Sequence, residues 1–318
     1  MRRFISIVAW LLFVVIPVLA QAPPAAPGGA PQQQDWDKIQ IKLQKLDDHV
    51  YMIQGFGGNI AAYVGDDGIV LSDTEQVQLG PKIEAALKTI SDKPVKYVLN
   101  THWHGDHTGG NAYFGKTAII IAQDDVRKAM QTEPDRLGRI TNLPVSLPVI
   151  TFSDQLTLHM DGGDIHAIYF PKGHTSSDTV VFMPGGKVVH TGDDFTNFMP
   201  ANFPAVDFEN DGSGGVQGVQ AACEYVLAHT PDDVKIIPGH GNLATKADLA
   251  KYLDVLKGTV AAIQAGIDQG KTLDQLKQEK VLDKWSYIGQ GPKADGYTER
   301  VYKSLTQKSG SAKGNGGQ

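Results

Sequence analysis

Three histidines and an aspartate fall within six residues, His102-Trp103-His104-Gly105-Asp106-His107. A neutral imidazole offers a ring nitrogen to a metal ion, and a carboxylate offers an oxygen. Residues 102 and 104 are two apart, so an extended chain turns both to one side. Gly105 can then bend the chain and present Asp106 and His107 apart from the first pair. One metal ion suits the first pair and a second suits the last. A solvated polar loop is the plain alternative, and it does not explain so many ligand types in one place.

Three more ligand-type side chains sit on small-residue turns, each just past a strand-like run. Gly173-His174-Thr175 follows Ile165 to Phe170, Thr191-Gly192-Asp193-Asp194 follows Val188-Val189, and Pro238-Gly239-His240-Gly241 follows Ile236-Ile237. If those strands end on one edge of their sheets, all three meet the loop delivered by Val95 to Leu99.

The elements that must position these groups are legible from periodicity. Alternation predicts strands over Ile39 to Leu43, Val50 to Gln54 and Ile60 to Val64, with a glycine-rich hairpin at Gly55-Phe56-Gly57-Gly58-Asn59. Ile69-Val70-Leu71 reads as a buried strand ending at Ser72-Asp73, and Pro81 to Ile90 as an amphipathic helix. Ala118 to Ala122 is a short strand and Gln123 to Met130 a helix; residues 133 to 149, with three prolines, read as a surface loop. Strands are expected at 150–152, 156–160, 164–170 and 179–183, with a hairpin at Gly185-Gly186 into Val188 to Thr191. Asn197 to Gly215 is long for a plain connection and suggests a pocket wall or lid. Val216 to His229 is helix-like, Val234 to Ile237 strand-like, and helices are expected at 246–268, 272–280 and 296–307. Each half runs from several strands into a helix, as two similar layers around a shared core would.

Bulk properties narrow the function classes. The hydrophobic share of 41% is ample for a core, and a net charge of −6 gives no support to nucleic-acid binding. Met1-Arg2-Arg3, the apolar run Phe4 to Leu19 and Val18-Leu19-Ala20 read as a signal peptide over 1–20 with cleavage near Gln21. Losing Arg2 and Arg3 would take −6 to −8. This predicts a periplasmic or secreted chain with no stable membrane insertion after cleavage; an uncleaved anchor is the alternative. Residues 21–36 read as a flexible leader and 309–318 as a disordered tail. Cys223, the single cysteine, allows no intrachain disulfide and reads as a small buried hydrophobe on a helix.

Taken together, the His-x-His-x-Asp-His loop at 102–107, Gly-His-Thr at 173–175, Thr-Gly-Asp at 191–193, Gly-His-Gly at 239–241 and the strand-end Asp73 resemble the metallo-β-lactamase superfamily of metallohydrolases, over about residues 45 to 245. The resemblance implies an α/β (α+β) fold, a four-layer αβ/βα sandwich with metals at one edge, spanning 37–245 with C-terminal helices over 246–308 packed on it. It implies that His102, His104 and His174 hold one metal, that Asp106, His107 and His240 hold a second, and that Asp193 bridges them. Asp73 matches a position that supports the metal loop by hydrogen bonds. His49, His159, His166, His190 and His229 fall outside the motifs and read as surface or structural residues; His190 lies three residues before the bridge.

The implied cofactor is zinc, two ions per chain, given His and carboxylate ligands without thiolate, with iron or manganese as alternatives. Two cations about 3.5–4 Å apart make a bridging hydroxide that attacks a carbonyl or phosphoryl centre. Asp106 could orient that nucleophile or pass a proton. One branch of zinc β-lactamases carries a cysteine near position 193 and a substrate-gripping lysine three residues on; this chain has Asp193 and Thr196. The leading expectation is an exported zinc hydrolase of a small ester, amide, lactone or lactam. The alternatives are a phosphodiesterase, an iron-dependent redox member, or a non-catalytic zinc-binding protein. The expected partner is a small-molecule substrate, and the oligomeric state is not legible. Trp103 could floor a pocket and Phe56, Phe195, Phe198, Met199 and Phe203 could wall one, with core packing the alternative for each.

Overall fold

A computed structural model describes residues 34–132, 140–206 and 214–306. The expected signal peptide, nearly all of the leader, the tail, and parts of the 133–149 loop and of the 197–215 segment lie outside them.

Two sheets form. The first has seven strands in chain order: β1 (Lys42–Lys45), β2 (Val50–Gln54), β3 (Ile60–Gly65), β4 (Gly68–Ser72), β5 (Val95–Asn100), β6 (Ile119–Gln123) and β7 (Ile150–Phe152). β1 to β4 pair antiparallel through tight connections, and β4 to β7 pair parallel. The second sheet comprises β8 (Gln155–Met160), β9 (Gly163–Tyr169), β10 (Thr179–Phe182), β11 (Val188–His190), β12 (Lys235–Ile237) and β13 (Ala244–Thr245). Only its β11–β12 pair is parallel. The helices are α1 (Gly80–Lys88), the short turns α2 (Gly105–Thr108) and α3 (Asn111–Phe114), α4 (Asp124–Thr132), the turn α5 (Leu143–Ser146), α6 (Val216–His229), α7 (Lys246–Asp268), α8 (Leu273–Gln278) and α9 (Pro292–Thr306).

The layering follows from strand alternation. Met52, Val70, Leu99 and Ile121 point from the first sheet onto Ile165, Ala167, Val181 and Ile237 of the second, forming a buried central layer. Their neighbours Ile53, Ile69, Leu71 and Val98 point the other way, against Leu79, Ile83 and Leu87 around α1. On the far side, Val180, Phe182 and Ile236 pack against Val219, Cys223 and Val226 of α6 and Leu249, Leu253 and Leu256 of α7. The order is helix, sheet, sheet, helix, which is the expected four-layer αβ/βα sandwich. Each fully buried aliphatic contributes about 1.5–3 kcal/mol, so runs such as Ile69-Val70-Leu71 have no face left for water.

The element boundaries move by a few residues from the periodicity. β1 begins at Lys42, not Ile39, because Ile39 and Ile41 pack at the edge of the outer cluster without pairing. β13, two residues long, was too short to leave a pattern. α7 starts at a capping box in which Thr245 accepts from the Asp248 amide and Asp248 accepts from the Thr245 amide, satisfying two orphan donors. No helix among the described residues is long and apolar enough to cross a membrane.

Candidate metal centre

Parallel pairing of β4 with β5 and of β11 with β12 puts the C-terminal ends of each pair on the same edge. Asp73 follows β4, Thr101 follows β5, Asp193 follows β11 and His240 follows β12. The bend expected at Gly105 is the start of α2: the amides of His107 and Thr108 both donate to the His104 carbonyl at 3.0 Å. That helical turn carries Asp106 and His107 away from the first histidine pair, with His104 at its N-cap.

All seven predicted ligand residues converge. His102, His104, His174 and Asp193 offer atoms that lie within 4.8 Å of one another, and so do Asp106, His107 and His240. His174 Nε2 lies 3.2 Å from His104 Nδ1 and 3.4 Å from Asp193 Oδ2. His240 Nε2 lies 3.3 Å from Asp106 Oδ2 and 3.4 Å from Asp193 Oδ2, and His107 Nε2 lies 3.3 Å from Asp193 Oδ1. A tetrahedral ion with bonds of about 2.0–2.1 Å needs ligand atoms about 3.3–3.4 Å apart. The spacing therefore fits metal ligation.

Hydrogen bonds fix which nitrogens face the cluster. Asp73 accepts from the Thr101 amide (2.8 Å) and hydroxyl (2.7 Å) and from His107 Nδ1 (2.7 Å). With its hydroxyl proton committed to Asp73, Thr101 accepts from His102 Nδ1 at 3.0 Å. Both imidazoles then carry their proton on Nδ1 and leave an Nε2 lone pair for a metal. His102 Nε2 is buried without a hydrogen-bond partner, as a ligand atom would be. Two glycines admit the approach. A Cβ on Gly58 would lie 2.2 Å from His107 Cε1, and one on Gly239 would lie 1.8 Å from Asp193 Oδ1.

Without metal charge the cluster is a dense set of coupled acids and bases. Burial, reinforced by neighbouring histidines, holds His102 well below its usual pKa, so it stays neutral. Burial works against charge on His107 and His240 too. There it is outweighed by Asp193, with Asp73 acting on His107 and Asp106 on His240; His107 rises well above its usual value and His240 to about 9. Burial likewise opposes charge on Asp193, but His240 and His107 hold it well below the carboxylate range. The His240 and Asp106 side chains are 22% and 19% exposed against 8% for Asp193 and 0% for His107, so the cluster opens to solvent on that side.

A sequence profile described as the metallo-beta-lactamase superfamily matches residues 54–255, more than half of the chain. The chain belongs to the metallo-β-lactamase superfamily. It is 25% identical over 217 residues to a metallo-beta-lactamase type 2 from Bacteroides fragilis, covering 64% of this chain and 80% of that protein. It is also 27% identical over 124 residues to a linear primary-alkylsulfatase from Pseudomonas sp. (strain ATCC 19151), a match over 36% of this chain and 22% of that one. A metallo-beta-lactamase structure from Pontibacter korlensis superposes with a TM-score of 0.56 at 19% identity, covering 69% of this chain and 99% of that one. A stereoselective inverting sec-alkylsulfatase from Pseudomonas sp. superposes with a TM-score of 0.65 at 17% identity over 85% of this chain; the match spans about half (51%) of the alkylsulfatase.

Within this metallo-β-lactamase-superfamily fold, the remaining sequence expectations divide. His49, His159, His166 and His229 are exposed, whereas His190 is buried, joins Ser72 at 2.9 Å across the two sheets, and is pushed by burial to a pKa of about 4. Cys223 is buried on α6, and burial pushes its thiol well above the usual range. Of the aromatic candidates for a pocket, only Phe56 and Phe198 are exposed; Phe198 stacks on His240 with ring centroids 6.2 Å apart. Phe195 and Phe203 are core residues packed on Tyr252 and Tyr297, and Met199 packs on that core. Trp103 is 9% exposed and packs with Ala122, Val126, Met130 and Leu147, although its ring also meets His104 edge-on. Sequence reasoning missed Glu75. Its buried side chain accepts from the Phe56 and Gly57 amides, and no periodicity marks it.

Proposed function

We propose that the chain is an exported dinuclear zinc hydrolase of a small ester, amide, lactone or lactam. The observation that carries this reading is Asp193: Oδ2 lies 3.4 Å from both His174 Nε2 and His240 Nε2, and Oδ1 lies 3.3 Å from His107 Nε2. One carboxylate thus touches both ligand groups, the placement a bridge between two ions requires. His102, His104 and His174 would hold the first ion, Asp106, His107 and His240 the second, and Asp193 both. When bound, two such ions supply Lewis acidity and a hydroxide nucleophile near neutral pH. The chain itself orients the ligand nitrogens through Asp73 and Thr101 and supplies Asp106 at the solvent-facing side. There Asp106 would position the attacking water or hand a proton to the leaving atom.

Export rests on reading residues 1–20 as a cleaved signal peptide, and the sandwich and C-terminal helices on reading 37–245 and 246–308 as one packed unit. Thr196 occupies the position where a substrate-gripping lysine would stand and is buried, which weighs against a β-lactam carboxylate as the anchored group. The 27% identity to an alkylsulfatase favours a second reading, hydrolysis of an alkyl sulfate ester at the same centre. Elemental analysis of the purified mature protein, followed by turnover of ester, lactone, thioester, β-lactam, phosphodiester and alkyl sulfate probes, tests both. Two zinc ions per chain with carbonyl hydrolysis is the expected result. Bound iron, or turnover of alkyl sulfate or phosphodiester alone, would replace the leading reading.

A further inference from the structure

The stretch after β4 is buried, polar and bent in a way that packing alone does not require. Asp73, Thr74, Glu75 and Gln76 are all at most 4% exposed. Asp73 (φ 70°) and Glu75 (φ 57°) both lie in the left-handed region that side chains other than glycine seldom adopt. Asp73 and Thr74 have evident work: Asp73 orients His107, and Thr74 donates its amide and hydroxyl to the His107 carbonyl at 2.8 and 3.0 Å. Glu75 faces the other way. Its carbonyl accepts from the Gly110 amide at 2.8 Å, locking the bend, and its Oε2 accepts from the amides of Phe56 (3.0 Å) and Gly57 (2.8 Å).

Those two amides belong to the β2–β3 hairpin that lies against the metal centre. Gly58 donates to the Asp106 carbonyl at 3.0 Å, and Asn59 donates to the Gly239 carbonyl at 2.7 Å. Asn59 is therefore anchored to the ligand loops directly, and the tip at Phe56 and Gly57 is anchored through Glu75. The Phe56 ring is 51% exposed and touches Trp36 edge-on at 5.4 Å. A bare hairpin tip carrying three glycines pays a high entropic cost to stay ordered. A buried carboxylate accepting two adjacent amides offsets that cost where a second strand could not.

We infer that Glu75 is a positioning residue that pins the Phe56 hairpin tip beside the metal centre, so that Phe56 selects the apolar part of the substrate. The selectivity half of this inference rests on the hydrolase reading above. Glu75→Leu keeps the volume and removes the oxygen that accepts both bonds, and Glu75→Gln restores a neutral acceptor oxygen. Amide hydrogen exchange on the zinc-loaded full chain reads the positioning without any substrate. In Glu75→Leu, exchange at Phe56 and Gly57 should rise about tenfold or more. The Asn59 and Thr101 amides should keep their protection, and Glu75→Gln should return the tip toward the parent. Turnover of p-nitrophenyl butyrate against acetate reads the selectivity: KM for butyrate should rise in Glu75→Leu with kcat held. Unchanged exchange at Phe56 and Gly57 overturns the inference, and so does a rise spread over Asn59, Thr101 and the core strands, which would make Glu75 a fold residue only. If neither ester is turned over by the parent, the ester part of the hydrolase reading fails on its own and the exchange result still decides the role of Glu75.

Discussion

Asp73 is the residue through which sheet geometry reaches the metal centre, and replacing it with asparagine separates its two roles. The carboxylate accepts three hydrogen bonds, two from Thr101 and one from His107 Nδ1. In Asp73→Asn the shape is kept, but one oxygen becomes an NH2 group. If the amide nitrogen takes the Oδ2 place, His107 Nδ1 and the Thr101 hydroxyl both face a donor, and the His107 imidazole must move its proton to Nε2, the atom that faces Asp193. If it takes the Oδ1 place, the Thr101 amide is left against a donor. Orienting partners of this kind are worth about 10–100-fold in metal affinity, or about 1.4–2.8 kcal/mol. Asp73→Ala leaves the same three donors buried and unpaired at about 1–3 kcal/mol each, a large part of a typical stability of about 5–15 kcal/mol. Zinc competition against a chromophoric chelator measures the first quantity, and urea unfolding of the metal-free variants measures the second. Asparagine should weaken at least one of the two proposed zinc sites while the metal-free fold survives; alanine should threaten the fold itself. Wild-type affinity at both sites in Asp73→Asn would refute the argument that Asp73 sets the His107 tautomer.

Two further outcomes follow from the same geometry. Asp106→Ala should lose the second proposed metal ion and the activity with the fold retained, since the Asp106 side chain is 19% exposed whereas that of Asp73 is fully buried; normal turnover with one zinc would remove Asp106 from the mechanism. Metal loading near pH 7.5 should release protons, because His240 is raised to about 9 and His107 above its usual value in the metal-free protein, whereas a ligating imidazole is neutral. For His240 the folded pKa lies above the unfolded one, so its contribution to metal-free stability is full below about pH 6.5 and is lost as pH rises through about 9. Calorimetry of zinc binding in buffers of different ionisation enthalpy, with thermal unfolding of the metal-free protein from pH 6 to 10, checks both signs.

Much of the centre was written in local sequence. His102 and His104 at a spacing of two, Asp106 and His107 after a glycine, and single ligands on small-residue turns after apolar runs are short-range patterns, and ligand chemistry restricts them to few residue types. The layering was also legible, because Ile69-Val70-Leu71 and Val180-Val181-Phe182 are apolar on both faces and only a strand between two packed layers satisfies that. What sequence left open depended on contacts far along the chain. Phe195, Phe198 and Phe203 have the same side-chain type within nine residues, yet two fill the core and one stacks on His240, because only the path of the loop decides which ring meets α7 and α9 and which meets the turn after β12. His190 was one unassigned histidine among five until the closing of the two sheets buried it against Ser72. Glu75 carried no signal at all: its role requires a left-handed backbone and a hairpin tip nineteen residues earlier in the chain. Residue type and spacing determined which side chains this protein could offer to a metal. The tertiary structure decided how those side chains are aimed, since aim is set by long-range hydrogen bonds and packing that no local period encodes.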